Sequence, residues 1–276
     1  MKSLKPRLLT AVIGIPLLVL LLLLAEVWSP VVAIIVAIAT AFMTGEYLSA
    51  NKLLKNFAVS VPCLLFSLLI PFPAITTYLY TAIILYIFVM FIFMIFSHRK
   101  ITYSELAYSV TGTLLITLGM SAIPLICSNN TGISFYFVTI FALPWMADAG
   151  GFFIGATMGK HKLCPQISPK KTVEGAVGGI VFCVISAVLV GLIFQFLITP
   201  NIKINFLALI LLGIIDAPIS IIGDLSFSLI KRRYNIKDYG SIFPGHGGML
   251  DRFDSIIFTA PVIVILNQII PIITVV

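Results

Sequence analysis

Long apolar runs, broken by short polar stretches, dominate this chain, and many approach the roughly 20 residues that a helix needs to cross a bilayer. They predict spans at 8–25, 30–48, 57–71, 75–96, 106–127, 132–158, 174–198, 204–230 and 253–275. The third is short and contains Pro62. A transmembrane β-barrel would instead show alternating segments of about 10 residues. The pattern therefore predicts an all-α, polytopic integral membrane protein with about nine transmembrane helices.

Sorting the basic residues by the resulting loops gives the orientation. One side receives Lys2, Lys5, Arg7, Lys52, Lys55, Arg99, Lys100, Lys160, Lys162, Lys170, Lys171, Lys231, Arg232, Arg233, Lys237 and Arg252, and the other only Lys203. That asymmetry predicts a cytoplasmic N-terminus and an external C-terminus. The apolar run after Arg7 is longer than a signal-peptide core, and Ala25-Glu26-Val27 is a poor cleavage site, so it reads as a retained first span.

Composition agrees: the 276 residues are 60% hydrophobic and 10% charged, too few charges to cover a soluble surface. Cys63, Cys127, Cys164 and Cys183 lack any metal-binding spacing and read as packing residues. No internal repeat or separate soluble domain is visible, and nothing points to nucleic acid as a partner. Residues 1–100 are chemically quiet and read as a scaffold of helices, with Glu46 and His98-Arg99-Lys100 as interfacial residues. Residues 101–276 carry the candidate chemistry.

Asp148 falls inside an apolar run, where a carboxylate marks function by default. Gly151, Gly155 and Gly159 follow at the four-residue spacing of closely packed helices. Lys170, Lys171 and Thr172 stand just before the seventh predicted span, with Glu174 in its first turn; two cations and a hydroxyl at a helix start suit a phosphate. Lys160 and Lys162 read as anchors. Asp216, beside Pro218, either caps carbonyls freed by that proline or lines a cavity.

The densest cluster runs from Asp224 to Ser255. It holds Ser228, Lys231, Arg232, Arg233, Lys237, Asp238, Asp251, Arg252 and Asp254 around a Pro-Gly-His-Gly-Gly turn. Asp251 and Asp254, three residues apart, would share one face of a helix starting there. With Asp224 they make an acidic set for a hard cation such as Mg²⁺, which accepts phosphate oxygens as further ligands. Gly245, Gly247 and Gly248 allow backbone N–H groups to approach an anion. His246 suits a general base, a phosphate ligand or a turn-stabilising role. Neither a Walker A motif nor a Gly-x-Gly-x-x-Gly motif before a helix occurs. Acids for a metal, cations for phosphates and glycines for a loop suit phosphoryl or nucleotidyl transfer on a lipidic substrate at the cytoplasmic face.

Ser228, Lys231, Arg232, Lys237, Asp238, Gly240, Pro244 to Gly248, Asp251, Arg252, Asp254 and Ser255 together resemble the signature of the phosphatidate cytidylyltransferases (CDP-diacylglycerol synthases). Gly223-Asp224-Leu225 and Ser168-Pro169-Lys170-Lys171-Thr172-x-Glu174-Gly175 resemble two further elements of that family, and Asp148 a weaker one. The resemblance implies the reaction CTP + phosphatidate → CDP-diacylglycerol + pyrophosphate, with Mg²⁺ and a second, monovalent cation such as K⁺. It implies Asp224 and Asp251 as principal metal ligands with Asp254 supporting, and Lys231 as a phosphate-binding cation; Asp224, Asp251, Lys231 and, from its place in the glycine turn, His246 are the catalytic candidates. Arg232, Lys237 and Arg252 would bind phosphates, with Ser228, Asp238, Gly247, Gly248 and Asp148 also lining the substrate site. Lys170, Lys171 and Thr172 would hold the other substrate or the leaving pyrophosphate. The implied partners are CTP, phosphatidic acid, the lipid bilayer and a second copy of the chain, at the cytoplasmic (inner) membrane. Two rivals stand beside this reading. A secondary transporter would use Asp148, Asp216 and Asp224 as a relay, but charges and helix interruptions crowd into one half rather than two matched halves. A CDP-alcohol phosphatidyltransferase would carry Asp-Gly-x-x-Ala-Arg, which Asp148-Ala-Gly-Gly does not match.

Overall fold

The structure is a computed structural model that describes residues 16, 20–97, 99, 101–129, 132–199, 202–243 and 247–275. The chain is all-α apart from two small two-stranded pieces. Seven helices among the described residues are long and apolar enough to span a membrane, so this is a polytopic membrane protein. Seven of the expected nine spans reach that length among the described residues. The segment expected at 57–71 folds as Phe57–Leu69, a 13-residue helix about 20 Å long. Most of the first expected span lies outside the described residues, although 20–27 are helical.

Two compact units divide the chain. The first comprises residues 1–128 and 233–253. It contains α1 (Pro30–Ala50), α2 (Phe57–Leu69), α3 (Leu79–Phe96), most of α4 (Tyr103–Asn129) and the segment after residue 232. Its core gathers Leu48, Val59, Cys63, Phe66, Tyr86 and Met90. Polar side chains add specific ties: Thr44 and Ser67 share a hydrogen bond of 2.8 Å, and Ser67 and Thr117 one of 3.1 Å. Such hydroxyl links suit membrane helices, whose association gains little from apolar burial in lipid. α4 begins on a capping box, with Glu105 accepting the Thr102 N–H at 2.8 Å. α3 presents Leu85, Phe88 and Phe91 outward, matching its mean hydropathy of 2.7.

The second unit comprises residues 129–232 and 254–276. It contains α5 (Ile133–Met158), a hairpin of β1 (Lys162–Cys164) and β2 (Ser168–Thr172), and α6 (Val173–Ile193), which runs on as a π turn over Phe194–Ile198. It continues with β3 (Ile202–Ile204), α7 (Phe206–Arg233), α9 (Ile256–Ile269) and β4 (Ile273–Val275), β3 pairing antiparallel with β4. Between the two parts of the chain that form α7 and α9 lies α8 (Leu250–Phe253), in the first unit. Small residues decide how α5 and α6 meet. A Cβ on Gly179 would stand 2.9 Å from the Ala147 carbonyl, and one on Gly175 2.6 Å from the Gly151 carbonyl. The glycine spacing thus serves close helix packing. α7 approaches α6 in the same way, Gly213 lying against the Val184 backbone.

Because the Ala147 carbonyl is backbone and cannot swing aside, Gly179→Val should destabilise the protein by about 1–3 kcal/mol through overpacking. Thermal unfolding in detergent is the measurement, with a clear fall in Tm as the expected outcome.

Candidate active site

The hairpin between α5 and α6 is where the sequence led us to expect only a loop. Thr172 ends β2 and caps α6, its hydroxyl accepting the Gly175 N–H at 3.1 Å. Gly155 and Gly159 pack directly on that hydroxyl. Glu174 ties the hairpin's start to the helix, accepting the Lys160 N–H at 3.1 Å and contacting His161 Nδ1 at 2.6 Å. Residues alternate sides along β2, so Lys170 is exposed whereas Lys171 is half-buried and reaches α7.

Lys171 Nζ lies 2.5 Å from Asp224 Oδ2. The contact is an ion pair rather than a well-angled hydrogen bond. The Ser228 hydroxyl donates to Asp224 Oδ1 over a long 3.4 Å. Asp254 is buried, and Asp224, Lys231 and Asp148 all lie within Coulombic reach of its carboxyl. Lys231 is buried too. Within this second unit the fold therefore gathers three acids and two lysines that are dispersed over more than a hundred residues of chain. Beside them opens a groove of about 490 Å³. Asp148, Lys162, Lys170 and Lys171 line it together with the apolar Phe152, Leu163 and Ile221.

In the first unit the glycine-rich segment folds around two carboxylates. Asp251 Oδ2 accepts the Tyr239 N–H at 2.7 Å and the Gly248 N–H at 3.0 Å. Phe243 and Gly247 exchange backbone hydrogen bonds of 3.0 and 3.2 Å, and Gly247 adopts φ +88°, a left-handed conformation that favours glycine. The Gly248 amide, expected to face an anion, is engaged by Asp251. Glu46 is the residue that sequence reasoning missed. It is 9% exposed and accepts the Met249 and Leu250 N–H groups at 3.1 and 2.8 Å. The signal was available: an acid inside an apolar run, as at Asp148. Tyr47, the next residue, stacks on Tyr108 at 4.2 Å and lies 6.2 Å from the Tyr239 ring.

The remaining candidates are placed as follows. Arg232, Lys237, Asp238 and Arg252 are exposed, with Asp238 against Gly247. His246 lies outside the described residues, as do Pro244 and Gly245. The helix expected to carry both Asp251 and Asp254 stops at Phe253, and a turn at 254–255 precedes α9. Asp216 is fully buried and neither of its oxygens makes a hydrogen bond among the described residues, so it caps no described carbonyl freed by Pro218.

The family profile described as "Cytidylyltransferase family" matches residues 5–270. The chain belongs to the cytidylyltransferase family. Similar proteins carry a narrower name. A phosphatidate cytidylyltransferase of Rickettsia bellii is 37% identical over 166 residues, 60% of this chain and 71% of the relative. One of Bacillus subtilis is 41% identical over 133 residues, covering 48% of this chain and only 47% of the relative. One of Staphylococcus haemolyticus is 34% identical over 179 residues, 65% of each chain.

The chain offers a divalent ion oxygen donors. Among the described residues no three His, Cys, Asp or Glu side chains form a ready-made cage. Mg²⁺ does not require one: it is commonly held by one or two carboxylates, with waters and substrate phosphates completing its octahedron. Asp224, whose Oδ2 pairs with the Lys171 ammonium and whose Oδ1 meets only a long Ser228 contact, and the neighbouring Asp254 are carboxylates of that kind. The residues present fit the ion.

Removing the α6 cap by Thr172→Ala should cost roughly 1 kcal/mol and loosen the Gly155–Gly159 contact. Thermal unfolding in detergent, beside Thr172→Ser as the cap-retaining control, is the check; equal stability of the two variants would contradict the capping role.

Proposed function

We propose that the chain is a phosphatidate cytidylyltransferase, converting CTP and phosphatidate to CDP-diacylglycerol and pyrophosphate. The observation that carries the reading is the groove beside Asp224, whose lining combines three lysines with apolar side chains. An anionic head joined to acyl chains is the substrate class that such a groove fits. The similar proteins named above supply the specific reaction.

In this reading a phosphate oxygen of phosphatidate attacks the α-phosphorus of CTP. A new phosphorus–oxygen bond forms, the bond from that phosphorus to the bridging oxygen breaks, and pyrophosphate departs with the electron pair. Bound Mg²⁺ supplies charge neutralisation on the triphosphate. Asp224, Asp251 and Asp254 are the residues assigned to hold it, and K⁺ beside it is inherited from the resemblance. Lys231 and His246 belong to the catalytic set. Lys170 and Lys171 orient an anionic phosphate in the groove, and Thr172 fixes the hairpin that carries them. Ser228, Arg232, Lys237, Asp238, Gly247, Gly248, Arg252 and Asp148 complete the substrate site. The catalytic apparatus is assigned to 101–276 on the N-terminal helices as scaffold, with a homodimer in the cytoplasmic membrane as the assembly.

The deciding assay supplies purified protein with phosphatidate and radiolabelled CTP. A liponucleotide should form, EDTA should abolish it and Mg²⁺ restore it. Asp224→Asn should reduce turnover by two or more orders of magnitude while the protein stays folded. Metal-independent turnover, or an unimpaired Asp224→Asn enzyme, would overturn the assignment.

The same reading places the N-terminus and active site on the cytoplasmic side. The distribution of basic residues supports it, and so does a parity argument. Hydrogen bonds from Met249 and Leu250 to Glu46 put the end of α1 and the start of α8 on one face of the membrane. An even number of crossings must then separate them, whereas five long helices intervene. The short α2 is the segment available for the extra crossing, and local bilayer thinning accommodates its length. A membrane-impermeant thiol reagent applied to intact cells should label Tyr78→Cys and spare Lys55→Cys. Equal labelling of both would reject the crossing.

A further inference from the structure

We propose that Glu46 is a positioning residue of the active site: its carboxylate, delivered from α1, fixes the glycine-rich segment in the conformation that presents Asp251. The inference rests on the reading above for what that segment does. It goes beyond that reading by giving a role to a side chain outside the signature, some two hundred residues away in sequence.

Three observations converge on it. The first is hydrogen bonding: Glu46 spreads its two oxygens over two consecutive amides, Oε1 taking Met249 N–H at 3.1 Å and Oε2 taking Leu250 N–H at 2.8 Å. Asp251 takes the amides of Tyr239 and Gly248. Two carboxylates thus hold four amides of one segment, and charge-assisted bonds of this kind are about twice as strong as neutral ones. The second is steric. A Cβ on Gly240 would lie 2.7 Å from Glu46 Cδ, and one on Gly248 2.6 Å from both Glu46 oxygens. These two signature glycines leave the room into which the carboxylate fits. The third is burial. An acid serving only as an interfacial residue would be solvated, whereas Glu46 is 9% exposed. Tyr47 extends the seating by packing near Tyr239.

A site must hold its reacting groups to within a fraction of an ångström, and it does so through supporting contacts of this sort. A loop that shifts by about 1 Å loses on the order of a hundred-fold in rate while still binding substrate. Loss of Glu46 is therefore expected to act on kcat more than on KM.

The test compares Glu46→Gln and Glu46→Asp with the wild-type full-length enzyme in detergent. Glu46→Gln keeps the volume but turns an NH₂ group toward an amide donor. It should lower kcat about a hundred-fold, change the KM for CTP and for phosphatidate several-fold less, and speed hydrogen exchange in 238–252 with α5 and α6 unaffected. Glu46→Asp, which retains the charge, should recover part of kcat and part of the protection. Wild-type kcat and exchange in a folded Glu46→Gln protein would overturn the proposal. So would exchange accelerated equally throughout the chain, which marks a merely structural role. If Glu46→Gln does not accumulate as folded protein, the Glu46→Asp exchange pattern decides alone: faster exchange confined to 238–252 supports the proposal, and an unchanged or uniform pattern rejects it. Exchange does not depend on turnover, so a wild-type enzyme inactive on CTP and phosphatidate would remove the functional reading while leaving the test of Glu46 intact.

Discussion

A carboxylate taken out of water is stabilised by a cation or a set of N–H donors, and this need shapes both parts of the site that the structure describes. Asp224 finds the Lys171 ammonium, Glu174 finds the hairpin amides and His161, Asp251 finds two amides, and Glu46 finds two more. The Glu46 contacts span two hundred residues of chain and the Lys171–Asp224 pair more than fifty. With only ten acidic residues in 276, the chain spends few of them on general solubility.

The same need explains why glycine is frequent where the acids are. A carboxylate can reach backbone amides only where side chains leave a path. Gly240 and Gly248 leave one for Glu46, and Gly155 and Gly159 leave one for the Thr172 hydroxyl that caps α6. In the membrane, small residues bring helices together; at the site, they bring polar atoms together. α5 and α6 do both along one seam.

Much of this was legible in the amino-acid order. Hydropathy gave the long helices to within a few residues, because a run of apolar side chains near bilayer length has few alternatives. The lysine–aspartate–glycine pattern marked both the hairpin region and the segment after α7. Three things were hidden, each for a physical reason. The β1–β2 hairpin was hidden because Ser-Pro-Lys-Lys-Thr lacks the alternation of a strand. The break after Phe253 was hidden because spacing of three residues reads as a helix face whether or not the helix persists. Glu46 stood out as an acid in an apolar run, but its role was hidden because its partners are main-chain amides, which every residue but proline carries and no composition reveals.

The seating of Glu46 between Gly240 and Gly248 also bears on how such a sequence can drift over generations. Bulk at either glycine collides with the carboxylate, and loss of the carboxylate strands two amides in a dry interior. Positions 46, 240 and 248 are therefore coupled, so that a change at one narrows what the other two can accept.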